Sequence, residues 1–463
     1  MKKYVILFLS LVILNALSGQ PWSPRIDFGI DGADDTDPHT CRAAVYLSCL
    51  VWESDVHGNQ DIISRFINYG DLTDTMSITL NADSDINASV AFDYTRDCFW
   101  CVWQSDRNGN WDIFTAYGDS ENGWSAPYEL GSDTLDDINP SVYVDYDTVW
   151  VVWNSGGRVQ AVHFAGGVWS SSQSISTCSD STQPCINGRN SNPLVVWSSY
   201  DLVYYSVCTD TIWTAPELIT TGYEYARFPE ICTESWYSPY CNGAWIVWQA
   251  YSDYPDWNIH VTKYDTFDVN YQVTVHDSMD ITPCPLFFLA IDGFRQMRPG
   301  CTAFCTNRNG NYDIYADWLG YFIEPVDTSP ANDNNPVLTQ SGFHLWAFWQ
   351  TDLDGDWDIY ARFIDFNAIE EFAAAGTREN KIISAAPNPF SRSTRITWNL
   401  EELHCDHIVV FDICGRKVRK LNINGLQGDM IWYGDDDNKK PLPGGVYFIG
   451  VGNKAKQKII ISR

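Results

Sequence analysis

The segment FWCVWQSDRNGNWDIFTAY, residues 99–117, reads as strand, turn, strand. Its first half is apolar on both faces, as a strand covered on both sides requires, and ends at Trp103. A Ser/Asp/Asn/Gly turn follows, and Gly109 can take the positive φ that such a turn needs. WDIFTAY then reads as the returning strand, with Asp112 placed to accept hydrogen bonds from the turn before it.

This unit recurs. Apolar strands reach a Trp at Trp52, Trp103, Trp153, Trp197, Trp248 and Trp349, and CTAFCTN (301–307) puts Cys305 in the same place. The seven copies are spaced by about 50 residues. Asp61, Asp313 and Asp358 repeat the role of Asp112, with Asn258 in a fifth copy, so this residue is architectural rather than catalytic. A Trp-Ser/Thr segment follows in WSAPYEL (124–130), WSSSQSI (169–175) and WTAPELI (213–219). A further strand, often opened by Pro, comes before each Trp strand, as in INPSVYVDY (138–146), RFPEICT (227–233) and NNPVLTQ (334–340). Seven units of four short strands predict a β-propeller over residues 21–366, in preference to a β-solenoid or a string of sandwiches. PWSPRIDFG (21–29) matches the fourth-strand segment, and the last unit lacks one. The N-terminal strand is therefore expected to complete the seventh blade and close the ring.

Composition agrees with an all-β chain: 463 residues, 15% aromatic, with 21 Trp, 31 Gly and 21 Pro. Net charge is −30, which disfavours nucleic acid and anionic lipid as partners. The charge is uneven. Residues 21–377 carry 50 acidic and 13 basic side chains, whereas 378–463 carry 9 acidic and 14 basic. Residues 367–380 read as a linker between two modules, 21–366 and 381–463.

Met1-Lys2-Lys3, the apolar run to Leu14 and the small residues Ala16 and Ser18 read as a secretory signal peptide over 1–18. No other run is long and apolar enough to span a membrane. Fourteen cysteines in an exported chain predict disulfides. Cys41 with Cys49, Cys178 with Cys185, Cys232 with Cys241, and Cys284 with Cys301 or Cys305 are close enough in sequence to pair, though spacing does not fix the connectivity.

The repeat VVW…SDRNGNWDIF resembles the propeller repeats of the TolB type, and the order NPSV…VVW…DIY…WS is similar to sialidase-like repeats of secreted bacterial proteins. The sialidase Asp box is not met, because SDRNGNW (105–111) places its Asp one residue early. In the tail, Pro387-Asn388-Pro389-Phe390, Gly415-Arg416, Trp432 to Asp436 and Gly444-Gly445-Val446-Tyr447-Phe448 resemble the C-terminal sorting domain of the bacterial type IX secretion system, an immunoglobulin-like β-sandwich. Asn388, Pro389, Phe390, Gly444, Gly445 and Tyr447 carry that motif. The resemblance implies handling by the type IX machinery and release, or display on the outer cell surface.

Three clusters are candidates for function. Two loops between first and second strands are long: 232–243, with Trp236, Tyr237 and Tyr240, and 290–300, with Phe294, Arg295 and Arg298. Aromatic rings beside arginines are usual anchors of recognition surfaces. Asp352, Asp354, Asp356 and Asp358 alternate around Gly355 as calcium ligands do, against an Asp-rich turn as the plainer reading. No other cofactor is expected. No Gly-x-Ser-x-Gly elbow and no pair of histidines at metal-binding spacing is present. Arg227 stands in an ARFP context, in the fifth unit rather than near the start as a sialidase motif would. The expected function is non-catalytic: an exported monomer that binds an extracellular protein or polysaccharide. The alternative is an extracellular glycoside hydrolase or lyase of propeller fold, sialidase-like in type.

Overall fold

The computed structural model describes residues 22–463 except 44–46, 69, 132–133, 177–179, 190–191, 221–224, 234–243, 252–256, 264–269, 275–278, 287–300, 319–321, 343, 366–382, 387–389, 391, 400–406, 413–416, 424–426, 438, 452–454 and 462–463. The chain divides into two compact units, 1–371 and 372–463. Among the described residues there is no helix.

The first unit is a seven-bladed propeller of antiparallel sheets. The innermost strands are Asp35–Arg42, Asp85–Asp93, Asp137–Asp145, Ser181–Arg189, Tyr225–Thr233, Asp280–Leu286 and Asp333–Ser341. Each touches the next, and the seventh touches the first, so the ring is closed. The Trp strands come second in every sheet, and their recurrent Trp52, Trp103, Trp153, Trp197, Trp248 and Trp349 are buried between blades.

Closure follows the sequence expectation. Ile26 pairs with Ala361 and Asp27 with Tyr360 on the outer edge of the seventh blade. Phe28 behind them is fully buried, edge-on to Trp346 and Phe348 at 5.8 and 5.0 Å. A chain end that supplies the last strand ties two distant parts of the sequence together and covers the edge of the strand Asp358–Asp365.

The recurrent turn and the Trp-Ser/Thr segment each have a visible physical role. Gly58, Gly109, Gly310 and Gly355 hold φ between 96° and 110°. The Asp after the turn accepts from its amides: Asn108 and Asn110 donate to Asp112 at 2.9 and 3.2 Å, and Asn309 and Asn311 to Asp313 at 2.7 and 3.3 Å. Arg107 and Arg308 lie over the rings of Phe114 and Tyr315 and donate to the buried Asp85 and Asp280. The fourth strand of the first four blades is broken into two short pieces. Where it breaks, a hydroxyl replaces a ladder acceptor: the N–H groups of Phe66, Tyr117, His163 and Val207 donate to Thr73, Ser125, Ser170 and Thr214 at 3.0–3.1 Å. Ser23 does the same for Phe363 at 2.9 Å. Satisfying that N–H removes the cost of an orphaned donor.

The disulfide expectation is corrected for the pairs whose two cysteines are both described. Nine described cysteines, Cys41, Cys49, Cys98, Cys101, Cys185, Cys208, Cys284, Cys301 and Cys305, are free; Cys178 and Cys241, the latter the expected partner of Cys232, lie outside the described residues. Cys41 sits directly opposite Cys49, but each thiol points to the carbonyl of the residue after it. Cys284 faces Ala303, and Cys301 faces Leu286, so the register holds those two sulfurs on a diagonal too long for a bond. These thiols pack as small apolar groups instead.

The second unit has seven strands in two sheets: Ile383–Ala386, Thr394–Asn399 and Gln427–Trp432 in one, and Lys417–Asn422, His407–Asp412, Gly445–Val451 and Ala455–Ile461 in the other. They share one core that includes Phe390, Ile396, Trp398, Ile408, Trp432, Tyr447 and Ile461.

Candidate functional site in the ring channel

The seven innermost strands line the channel, and each carries the same irregularity. After two paired residues, three in the fifth blade, the register shifts, and the residue at the shift has a left-handed backbone. These are Asp37, Asn87, Asn139, Gln183, Phe228, Thr282 and Asn335, with φ between 43° and 54°. Asn and Asp tolerate this region; Phe and the β-branched Thr resist it. Pro follows in every blade but the second, which explains the Pro-led strands of the sequence.

The bulge turns an N–H group toward the neighbouring blade, where the side chain after the recurrent Trp accepts it. Asp37 N donates to Gln350 at 2.9 Å, Asn87 N to Glu53 at 2.6 Å, Asn139 N to Gln104 at 2.8 Å and Thr282 N to Gln249 at 3.0 Å. Amide side chains continue the belt, from Asn87 to Asn139 at 3.0 Å and from Asn335 to Asp37 at 3.3 Å. Blade-to-blade bonding is thus written into one repeated position.

At one place the belt carries acids rather than amides. Glu53 stands where other blades have Gln104, Gln249 and Gln350, and Asp37 where they have Asn87, Asn139 and Asn335. Burial raises Glu53 to about 8, and the Asp37 charge adds to the rise. Burial raises Asp37 to about 6. Burial and the neighbouring charge both favour a neutral carboxyl at Glu53, which can then stand in for the amide of the other blades.

Two residues further along each strand lies a second layer: His39, Ser89, Ser141, Cys185, Glu230, Cys284 and Val337. His39 Nδ1 accepts from Val90 N at 3.2 Å, Ser89 Oγ from Val142 N at 3.3 Å and Ser141 Oγ from Ile186 N at 3.1 Å, again across blade seams. Burial holds His39 down to about 4, so it is neutral at ordinary pH. Glu230 breaks this pattern. The corresponding residue of the next blade is Pro285, which has no N–H to offer. Its carboxylate accepts instead from Cys185 Sγ at 3.2 Å. Glu230 is open to water yet enclosed at longer range by the ring wall, and that enclosure raises it to about 7. One layer on, the Tyr143 ring crosses the next seam so closely that a Cβ at Gly188 would fall 1.8 Å from its Oη.

The sequence candidates fall differently. Trp236, Tyr237, Tyr240, Phe294, Arg295 and Arg298 lie outside the described residues. Asp352 accepts both the N–H and Nδ2 of Asn332, at 2.7 and 2.9 Å, and stays strongly acidic on that account. Asp354 accepts from Tyr360 at 2.7 Å. Burial, then the charges of Asp27, Asp356, Asp35 and Asp354, raise Asp358 to about 7. Among the described residues no group of three or more His, Cys, Asp or Glu is arranged to hold a metal ion. Arg227 pairs with Asp201 of the preceding blade. In the second unit Phe390 bridges to Ile461 and packs on Trp432 at 5.7 Å. Tyr447 is buried and donates to Pro443 O at 2.9 Å, Gly444 is an exposed bend, Gly445 opens a strand, and Asn388 and Pro389 lie outside the described residues. Sequence reading missed Glu53 and Glu230. The available signal was an acid at a position where none of the other copies has one.

No curated protein matches the chain. Among solved structures it is similar to the sialidase of Trypanosoma rangeli, at 8% identity over 96% of this chain and 89% of that one, with a TM-score of 0.42. It is also similar to an oligogalacturonate lyase of Vibrio parahaemolyticus (11%, 74% and 98%, 0.44) and an α-L-arabinofuranosidase of Podospora anserina (11%, 53% and 96%, 0.34). Each likeness is one of fold. Residues 384–462 match the family described as a secretion system C-terminal sorting domain, and this segment marks the chain for secretion and attachment to the outer surface of a bacterial cell.

Proposed function

We propose that the ring is a non-catalytic binding module for an extracellular polysaccharide or protein, carried out of the cell by its sorting domain. The observation that carries this reading is the use of the channel side chains. Glu53, Gln104, Gln249 and Gln350 hold the N–H groups of neighbouring blades, and His39, Ser89 and Ser141 do the same one layer on. Groups committed to holding blades together are not free to act on a substrate, and the recurrent Asp residues are committed to turns. The test is a glycan array with the full mature chain, read for retention and for released sugar. Retention without release supports the reading. Shortened products overturn it, as does a lack of retention combined with no surface protein captured.

A second reading, a glycoside hydrolase or lyase, has one observation in its favour. Glu230 is open to the channel and titrates near 7, where a general acid works well. If sugar is released, Glu230→Gln should abolish the release.

A further inference from the structure

The outer edge of the ring carries a groove of about 460 Å³ between the second and third blades. Its aromatic lining is Trp100, Tyr117 and Tyr128 from the second blade and Phe164 and Trp169 from the third. Tyr117 and Tyr128 are 52% and 55% exposed, and Val168 beside them is 69% exposed. Tyr94, Tyr146 and Tyr200 are as exposed, but Tyr117 and Tyr128 lie together with other rings in one groove, and a cluster of that kind needs an explanation.

The blades serve as an internal comparison. The position of Tyr117 on the third strand is taken by Phe66, His163 and Val207 in the first, third and fourth blades, and Phe66 is fully buried. The position of Tyr128 is taken by Met76, Gln173 and Glu217. The packing of Trp169 against Trp100 does recur, as Trp213 against Trp150, and is architecture. The two exposed tyrosines are additions to it. Tyr128 lies nearly parallel to Trp169, at 14° with centroids 6.5 Å apart, while Trp100 stands at 88° to Trp169 and forms the floor. Trp100 is fixed by donating to Asp93 at 3.2 Å. The site is therefore held ready before any ligand arrives.

The rim sets the charge of the ligand. Asp119, two residues beyond Tyr117 on the same strand, stays ionised because Asn122 and Glu121 donate to it, and Glu121 next to that strand end is exposed. Arg96, over the Phe164 ring at 5.2 Å, is already paired with Asp93. An anionic ligand meets net repulsion here. Aromatic faces flanked by carboxylates suit a neutral sugar, whose C–H face lies on the ring while its hydroxyls reach polar groups at the edge.

We infer that this groove is a binding subsite for a neutral polysaccharide. The inference rests on the binding reading above and gives it a place and a ligand class.

The test is affinity electrophoresis of the full mature chain through gels containing hydroxyethylcellulose, glucomannan or polygalacturonate. The neutral polymers should retard it and polygalacturonate should not. Tyr117→Ala and Tyr128→Ala should each weaken retardation about tenfold, and Tyr128→Phe should keep it. Tyr200→Ala, at an equally exposed tyrosine of the fourth blade, controls for general effects. Retardation unchanged in both alanine variants overturns the groove while leaving the binding reading intact. Retardation by polygalacturonate alone overturns the charge argument. No retardation in any gel overturns the polysaccharide ligand, and capture of a surface protein through the same tyrosines would replace it.

Discussion

Glu53→Gln should stabilise the ring, and the gain should grow with pH. The side chain is 6% exposed and its carboxylate accepts the Asn87 N–H across the seam between the first and second blades. In the unfolded chain it ionises near 4.5, and in the ring near 8. Between those values the fold must keep a proton that the unfolded chain has released. The stability supplied by the neutral carboxyl is complete below about 4.5 and is lost as pH rises through 8. At pH 7 a shift of this size corresponds to about 3 kcal/mol. Asp37, itself raised to about 6, competes for the same proton, which brings the expected gain from the amide to roughly 1–3 kcal/mol. For a ring of this size that is on the order of 1–4 °C in melting temperature. The assay is a pair of thermal melts, wild type against Glu53→Gln, at pH 4 and pH 8. Near pH 4 the two should coincide; at pH 8 the variant should melt higher. The converse change, Gln104→Glu, should bring the same alkaline loss to the next seam. Parallel pH profiles for Glu53→Gln and wild type would refute the neutral carboxyl at Glu53.

Phe28→Ala should cost about 3–5 kcal/mol by leaving a cavity between Trp346 and Phe348, and should expose the N-terminal strand to protease before the rest of the ring. Thr282→Asn should gain about 1 kcal/mol in denaturant melts, because Asn suits the left-handed backbone at φ 49° and the Thr282 hydroxyl is buried without a hydrogen bond. Thiol labelling of the denatured chain without reductant should find at least nine free cysteines; a count clearly below nine would restore disulfides among them.

Blade number, strand order and the N-terminal closure were legible in the sequence. They depend on signals confined to one repeat: a two-sided apolar strand ending in Trp, a glycine turn, an Asp that takes up its amides, and a Pro-led strand. Seven copies of a local signal average out the odd departure, such as Cys305 in a Trp place. For Cys284 and Cys301 the disulfide expectation failed because near spacing does not set register. Cys284 and Cys301 are 17 apart in sequence but sit on a cross-strand diagonal. The carboxyl pair in the belt was invisible for a related reason. Glu53 and Asp37 look like two more acids among 59 until the strand pairing lines them up with Gln104 and Asn87.

The sequence by itself therefore determined a secreted chain with a seven-bladed ring and a sorting tail, because the ring rests on a signal repeated within each unit and the tail on motifs within residues 384–462. Only the tertiary structure decided which acid is held neutral, which thiols stay free and where aromatic rings meet in the groove. Those properties belong to the seams, where a bulge in one blade faces a side chain from the next. Ring closure, rather than proximity along the chain, sets that geometry.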